Sequence, residues 1–240
     1  QVVVLDNNYR NKNYSIKHNN LRSYKGDIRN LLRLKKITKG IDSIIHLAAI
    51  NGTKYFYEKS ELVLDVGVKG IINVIDACKE NNIKEIYIAS SSEVYQNPPN
   101  YPTNEKVRMI IPDPHNPRFS YSASKIISEL LILNSNFFNK AIIFRPHNIY
   151  GPNMGYEHVV PELIIKTLKA KKNILIQGTG LNKRSFCFID DFVNGLNILL
   201  KKGKHKEIYN IGNDEEINIL NLAKLIISIL KKDIEIKKSK

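Results

Sequence analysis

Tyr121 and Lys125 stand four residues apart in Tyr121-Ser122-Ala123-Ser124-Lys125. On a helix that spacing puts both side chains on one face. An ammonium beside a phenol stabilises the phenolate and lowers the tyrosine pKa from about 10. A tyrosine so tuned takes the proton of a hydroxyl while hydride leaves the carbon that bears it. About 30 residues upstream, Ala89-Ser90-Ser91-Ser92-Glu93-Val94-Tyr95 follows an apolar run. A serine hydroxyl at that strand end would bond the same oxygen, because ligands sit outside the carboxyl ends of parallel strands. Taken singly, each segment is bland. A Tyr-x-x-x-Lys is common on helix surfaces, and a run of serines is a polar turn.

The elements that must position these residues follow from the pattern of apolar residues. Val2-Val3-Val4-Leu5 is a continuous apolar run ending in Asp6, and residues 41–47, 84–89 and 141–144 carry similar runs. Such runs predict strands buried on both faces of a parallel sheet. Residues 27–36, 68–79 and 121–133 carry apolar residues at helical spacing. Alternating strands and helices predict an α/β fold, a doubly wound parallel sheet with right-handed crossovers. Residues 97–117 are rich in Pro and Asn and predict a long functional loop. Beyond Gly151 the pattern predicts a helix at 159–170, a strand at 173–177, a helix at 191–200, a strand at 207–211 and a helix at 220–230. Asp6, at the end of its strand, is placed to accept a hydrogen bond from a ribose.

Composition narrows the function classes. The 240 residues have 42% hydrophobic and 25% charged content, ordinary for a globular protein. No apolar run approaches the roughly 20 residues that span a bilayer, so no membrane is expected. Cys78 and Cys187 lie far apart in apolar stretches, which predicts reduced core cysteines and a cytoplasmic protein. The six histidines lack metal-ligand spacing, so no metal is expected. The net charge of +14 is spread along the chain with no basic stripe or interleaved aromatics, so no nucleic acid is expected either. A positive field would instead attract a diphosphate-bearing substrate.

Several segments, in order, resemble the extended short-chain dehydrogenase/reductase superfamily, in particular its NAD-dependent nucleotide-sugar epimerase/dehydratase branch. Val4-Leu5-Asp6-Asn7 resembles the ribose-binding strand end, and Gly26-Asp27-Ile28-Arg29 the segment that contacts adenine. His46-Leu47-Ala48-Ala49 resembles the strand end lining the cofactor, with Pro146 further along. Ser91, Tyr121 and Lys125 match the catalytic Ser/Thr, Tyr and Lys; Lys125 also holds the nicotinamide ribose. Arg145-Pro146-His147-Asn148-Ile149-Tyr150-Gly151-Pro152 resembles the loop whose Asn holds substrate, here Asn148. Lys183-Arg184-Ser185-Phe186 resembles the segment whose Arg grips the nucleotide diphosphate, a task that suits the planar guanidinium fork. The resemblance implies NAD as cofactor, a nucleotide-diphosphate sugar as substrate, a transient 4-keto sugar and a homodimer. It implies a Rossmann-like NAD-binding domain at 1–150 and a smaller substrate-binding lobe at 151–240, with 185–200 packing back on the first. The Gly-rich turn of such a domain occurs nowhere in the 240 residues. We therefore expect about 30 further residues before Gln1, one strand-turn-helix unit, and poor NAD binding without the amides that hold a pyrophosphate.

The particular reaction turns on Ser92, Glu93 and Arg118. Ser91-Ser92-Glu93-Val94-Tyr95 resembles the Thr-Ser-Glu segment of GDP-mannose 4,6-dehydratases and UDP-glucuronate decarboxylases, where an Arg also stands three before the Tyr, as Arg118 does here. Once carbon 4 is a ketone, the proton on carbon 5 is acidified, and Glu93 could abstract it to expel the hydroxyl on carbon 6. In a decarboxylase, Glu93 and Arg118 would instead bind near the carbon 6 carboxylate. If Glu93 only orders the loop, simple epimerisation remains, and a non-catalytic nucleotide-binding module is a further alternative. The chain also departs from the family pattern. Ser92 stands where dTDP-glucose dehydratases carry Asp, which turns the expectation away from that enzyme. Gly67-Val68-Lys69-Gly70-Ile71 replaces an Asn-Val-x-Gly-Thr start, and Gln96 stands where Gly follows Val-Tyr.

Overall fold

A computed structural model describes residues 1–9 and 17–239. In chain order its elements are β1 (Val2–Asp6), β2 (Leu21–Lys25), α1 (Leu31–Ile37), β3 (Ser43–His46), α2 (Thr53–Glu58), α3 (Ser60–Leu64), α4 (Gly70–Glu80), β4 (Glu85–Ala89), α5 (Ser120–Leu133), β5 (Lys140–Pro146), β6 (Ile149–Tyr150), α6 (Val159–Lys169), β7 (Asn173–Ile176), β8 (Lys183–Ser185), β9 (Cys187–Phe188), α7 (Ile189–Lys202), β10 (Ile208–Ile211), β11 (Glu216–Asn218), α8 (Ile219–Ile229) and β12 (Glu235–Lys238). They form two compact units. The first joins Gln1–Arg145 with Leu200–Tyr209, and the second joins Pro146–Leu199 with Asn210–Lys240. Among the described residues no helix is long and apolar enough to cross a membrane.

In the first unit β3, β4 and β5 lie parallel, with Ile44 opposite Ile86 and Ile86 opposite Ala141. β10 adjoins the other edge of β5, giving the order β10-β5-β4-β3. Ile86, Ile88, Ile142, Ile143 and Phe144 are fully buried, as a parallel strand covered on both faces requires. Ile71, Val74, Ile75 and Cys78 of α4 and Ile132 of α5 belong to the buried cluster beside them. β1 and β2 form a separate parallel pair, from Val2 opposite Leu21 to Asp6 opposite Lys25. Here one expectation fails. Val2 is 57% and Val4 39% exposed while Val3 and Leu5 between them are part-buried, the pattern of a strand covered on one face only.

Element boundaries moved for local reasons. α1 starts at Leu31, not at Asp27, because the Asp27 carboxylate is used in a tight turn, accepting the Arg29 amide at 2.9 Å. Asn30 then caps the helix by accepting from the Arg33 amide. The helix expected at 68–79 is two pieces, a π-helical turn at Asp65–Lys69 running into α4. That turn lays Gly67 against the helix that carries Tyr121. A Cβ at Gly67 would stand 2.5 Å from Ser124 Cβ, so no side chain fits there without moving α5. This accounts for the glycine that replaces the family's Asn. Gly67→Ala should cost about 1–3 kcal/mol by overpacking, read as a melting temperature lower by roughly 2–4 °C per kcal/mol. An unchanged melting temperature would mean that the two helices are not packed this closely.

The second unit has its own core. Leu163 of α6, Ile174 and Ile176 of β7, and Leu222, Ala223 and Ile226 of α8 are buried together. β7 runs parallel to β12, β8 antiparallel to β11, and β6 parallel to β9. Asn218 caps α8 by accepting from the Asn221 amide at 2.7 Å.

Candidate active site

α5 positions the two residues with which the sequence argument began. Asn116 accepts from the Arg118 amide at 3.0 Å, Pro117 opens a 3-10 turn, and the chain passes directly into α5. Tyr121 and Lys125 lie on its inner face, 6% and 4% exposed. The Lys125 ammonium is 5.6 Å from the Tyr121 ring centre and donates to the Ala89 carbonyl at 2.6 Å. It therefore bridges the helix to the end of β4. Burial drives Lys125 down from 10.5 to about 8, with Glu129 pulling it back up.

The turn after β4 presents the serines and the carboxylate. Ser91 caps a 3-10 turn at Ser92–Val94, its hydroxyl accepting from the Glu93 amide at 3.2 Å. Arg118 donates to both carboxylate oxygens of Glu93, at 3.2 and 3.1 Å. Gln96 ends this turn with a φ of +53°, the left-handed region, which accounts for the family's glycine at that place. Its side chain donates to the Glu93 carbonyl at 2.5 Å. Sequence reasoning missed the residue that joins these groups. Phe56 of α2 stacks on Tyr121, with ring centres 5.0 Å apart and planes 12° apart, and the Arg118 guanidinium lies over the same ring at 5.6 Å. α2 has only six residues, too few for a helical period to stand out in the sequence.

A second group of predicted residues lines a cavity of about 220 Å³. Asp6, Asn7, Asp27, Ile28, Ala48 and Ala49 share it with Ile50 and Val66, while Leu47, 55% exposed, is not on its wall. Asp6 accepts from the Asn8 amide at 2.6 Å, one of about four acceptor sites a carboxylate offers. Arg29 hydrogen bonds hold Asp27 at about 2, ionised through the whole physiological range. At Gly26, on the same wall, a Cβ would meet Leu5 at 2.7 Å. Carboxylates that accept from hydroxyls, beside Ile28, Ile50 and Val66 that flank a flat ring, fit the adenosine end of a dinucleotide. His46, one residue before Leu47, is buried and driven to about 3 by desolvation and by the nearby Lys125 charge, so it stays neutral. Thus β3 joins the cavity to the Tyr121 and Lys125 group.

The remaining predicted residues lie in the second unit. Pro146 opens it. Asn148, with a φ of +40°, donates its side chain to the Ser185 carbonyl at 2.9 Å. Arg184, on β8, folds onto its own strand and donates to the Lys183 carbonyl at 2.8 Å. Among the described residues no group of three or more His, Cys, Asp or Glu side chains is placed to hold a metal ion.

Residues 1–212 match the family model described as the NAD dependent epimerase/dehydratase family. The chain is 35% identical to a dTDP-D-glucose 4,6-dehydratase of Dictyostelium discoideum, over 95% of this chain and 56% of that protein. It is 30% identical to a dTDP-D-glucose 4,6-dehydratase of Bos taurus, over 88% of this chain and 59% of that one. It thus spans less than two thirds of the length of either relative. Among solved structures, a UDP-N-acetylglucosamine 4-epimerase from Methanobrevibacter ruminantium M1 superposes with a TM-score of 0.82 at 26% identity, over 99% of this chain and 77% of that one.

Proposed function

This chain belongs to the NAD dependent epimerase/dehydratase family, and from that premise we propose that it acts on a nucleotide-diphosphate sugar through a transient 4-keto sugar and removes water across carbons 5 and 6. The observation that carries the choice of reaction is Glu93, held by Arg118 on the turn that Ser91 caps. Epimerisation needs Ser91, Tyr121, Lys125 and a sugar free to rotate, but it gives an arginine-held carboxylate no task. Elimination gives it one. NAD, when bound with its adenosine end against Asp6, Asn7 and Asp27, takes hydride from carbon 4 and gives it back at carbon 6 once water has left, with a proton returned to carbon 5, so that the product is one water lighter than the substrate and the cofactor ends oxidised.

Tyr121 takes the proton of the carbon 4 hydroxyl. Ser91 donates to the oxygen that becomes the ketone. Lys125 keeps positive charge beside Tyr121 and holds the nicotinamide ribose. The ketone acidifies the proton on carbon 5, and Glu93 takes it. Protonated Glu93 then gives that proton to the hydroxyl on carbon 6, which leaves as water as the carbon 5–carbon 6 double bond forms. With Ser92, not a second acid, beside Glu93, one carboxylate serves both proton transfers. Asn148 holds the sugar and Arg184 the diphosphate, and Leu47 and Pro146 flank the nicotinamide. The protein so described is a cytoplasmic homodimer.

The test is incubation of the full-length protein with NAD and a panel of UDP-, GDP-, CDP- and dTDP-sugars, with products read by mass. Loss of water supports the proposal. Unchanged mass with a changed sugar, loss of carbon dioxide, or no product from any member overturns it.

The pH dependence follows from Lys125. In the folded protein it loses its proton near 8 and in the unfolded chain near 10.5. Below 8 both states are charged and the full cost of burying the ammonium is carried. From about pH 8 to about 10 the unfolded state binds more protons, so folding stability rises with pH. Activity moves the other way. As Lys125 loses its charge, Tyr121 loses the group that stabilises its phenolate, and kcat/KM is expected to fall about tenfold per unit above pH 8. A profile flat to about pH 10 would remove Lys125 from this role.

A further inference from the structure

Behind the catalytic group lies a buried ion pair that the proposed reaction does not use directly. Glu129 and Arg145 are 0% and 1% exposed at their side chains. Arg145 Nε and Nη2 donate to the two Glu129 oxygens at 2.8 and 2.6 Å. Glu129 also accepts from the Ser90 hydroxyl. Arg145 Nη1 donates to the Tyr95 hydroxyl at 2.7 Å and to the Glu105 carbonyl at 3.1 Å. These bonds grip both ends of the segment that carries Ser91 and Glu93, at Ser90 and at Tyr95. Glu129 is four residues beyond Lys125, one helical turn along the same face. Lys125 in turn holds Ala89, the residue next to Ser90.

We propose that Glu129 and Arg145 are positioning residues for this active site: together they fix the 90–95 turn, and Arg145 holds the Glu129 carboxylate one helical turn from Lys125. Taking charges out of water is costly unless they are paired and fully hydrogen-bonded, and here Arg145 donates to Glu129 and Tyr95 on the side of the site and to the Glu105 carbonyl and the Met109 sulfur on the side of the following loop. Other charged and titratable groups lie on α5 and on the elements packed against it. On α5 these are Tyr121 and Glu129. On β3 His46 stays neutral. α3, the π-helical turn and the two 3-10 turns bring Glu61, Asp65, Lys69, Glu93 and Arg118, of which Asp65 pairs with Arg29 and Glu93 with Arg118. After burial, Glu129 is the charge that acts on Lys125.

The inference rests on the role given to Lys125 above, and its test separates the two. Glu129→Gln and Arg145→Met are compared with the double variant, reading the Lys125 pKa in ligand-free protein by NMR of labelled lysine and then the upper limb of the pH profile. Glu129→Gln removes the stabilising charge and leaves Arg145, so the lysine pKa and the limb should fall by about one unit. Arg145→Met leaves Glu129 alone and should move both up by a similar amount, and the double variant should return them near the wild-type values. A merely structural pair would lower the melting temperature in both single variants without opposed shifts, and that outcome overturns the inference. If either single variant fails to fold, the double variant, whose buried charge is removed entirely, replaces it: retained turnover at the wild-type kcat would show that the pair does not position the turn, and reduced kcat at unchanged KM that it does. Opposed lysine shifts without turnover of any sugar nucleotide would leave this inference standing and sink the proposed function instead.

Discussion

Tyr121→Phe should lower turnover by about 10²–10⁴-fold, the range a positioned acid or base contributes, while affinity for the nucleotide sugar, measured by calorimetry, stays within about threefold of wild type. The substitution is clean on structural grounds. Phe keeps the ring that stacks on Phe56 at 5.0 Å, so the packing between α2 and α5 is conserved. What goes is the oxygen that would take the proton. Lys125 keeps its bond to the Ala89 carbonyl, and Glu93 keeps its bond to Arg118. A loss of turnover with binding intact is therefore a loss of proton transfer and not of architecture. Retained turnover would take Tyr121 out of the reaction. A chain that binds nucleotide sugars with no turnover in wild type or variant would be a binding module instead.

Much of this site was legible because its chemistry follows short-range geometry. A Tyr and a Lys one turn apart on a helix, and a serine at the end of an apolar strand, need only local periodicity to be read. Asp6 stands out at the end of its apolar strand and Asp27, Ala48 and Ala49 only by resemblance, and the fold brings all four onto the lining of one cavity. The groups that were missed depend on long-range packing. Phe56 meets Tyr121 across 65 residues of chain, and nothing local to residues 53–58 announces it. Glu129 and Arg145 left a fainter mark. Glu129 follows Tyr121 and Lys125 at helical spacing, on the face that turns inward, and Arg145 continues an apolar strand. A charge at a buried register demands a partner, and two such positions close a pair.

β1 shows the opposite error. Its four apolar residues read as a strand covered on both sides, but burial depends on neighbours that periodicity cannot name. Val2 and Val4 alternate with less exposed residues, the pattern of a strand with one face covered. The pairing that would decide it is a property of the sheet, not of the run.

Glu93 decides between reactions, and Glu93→Gln is the substitution that shows how. Gln is isosteric and its amide oxygen still accepts from Arg118, so the bond that now spans 3.1–3.2 Å can be kept in part. The amide cannot take a proton from carbon 5. Tyr121, Lys125 and Ser91 are untouched, so oxidation at carbon 4 should continue while elimination stops. The expected result is a drop of about 10²–10⁴-fold in water loss, with a bound sugar two hydrogen atoms lighter than the substrate accumulating, read by mass. That combination would not arise from a damaged loop, which would slow both steps. Arg118→Lys serves as the control, because a lysine keeps the charge but loses the fixed placement of the one nitrogen, Nη2, that donates to both carboxylate oxygens. It should slow water loss less than Glu93→Gln if Arg118 orients the carboxylate and Glu93 moves the proton. Water loss at the wild-type rate in Glu93→Gln would leave Glu93 with the ordering of its turn alone, and epimerisation would become the better reading of the site.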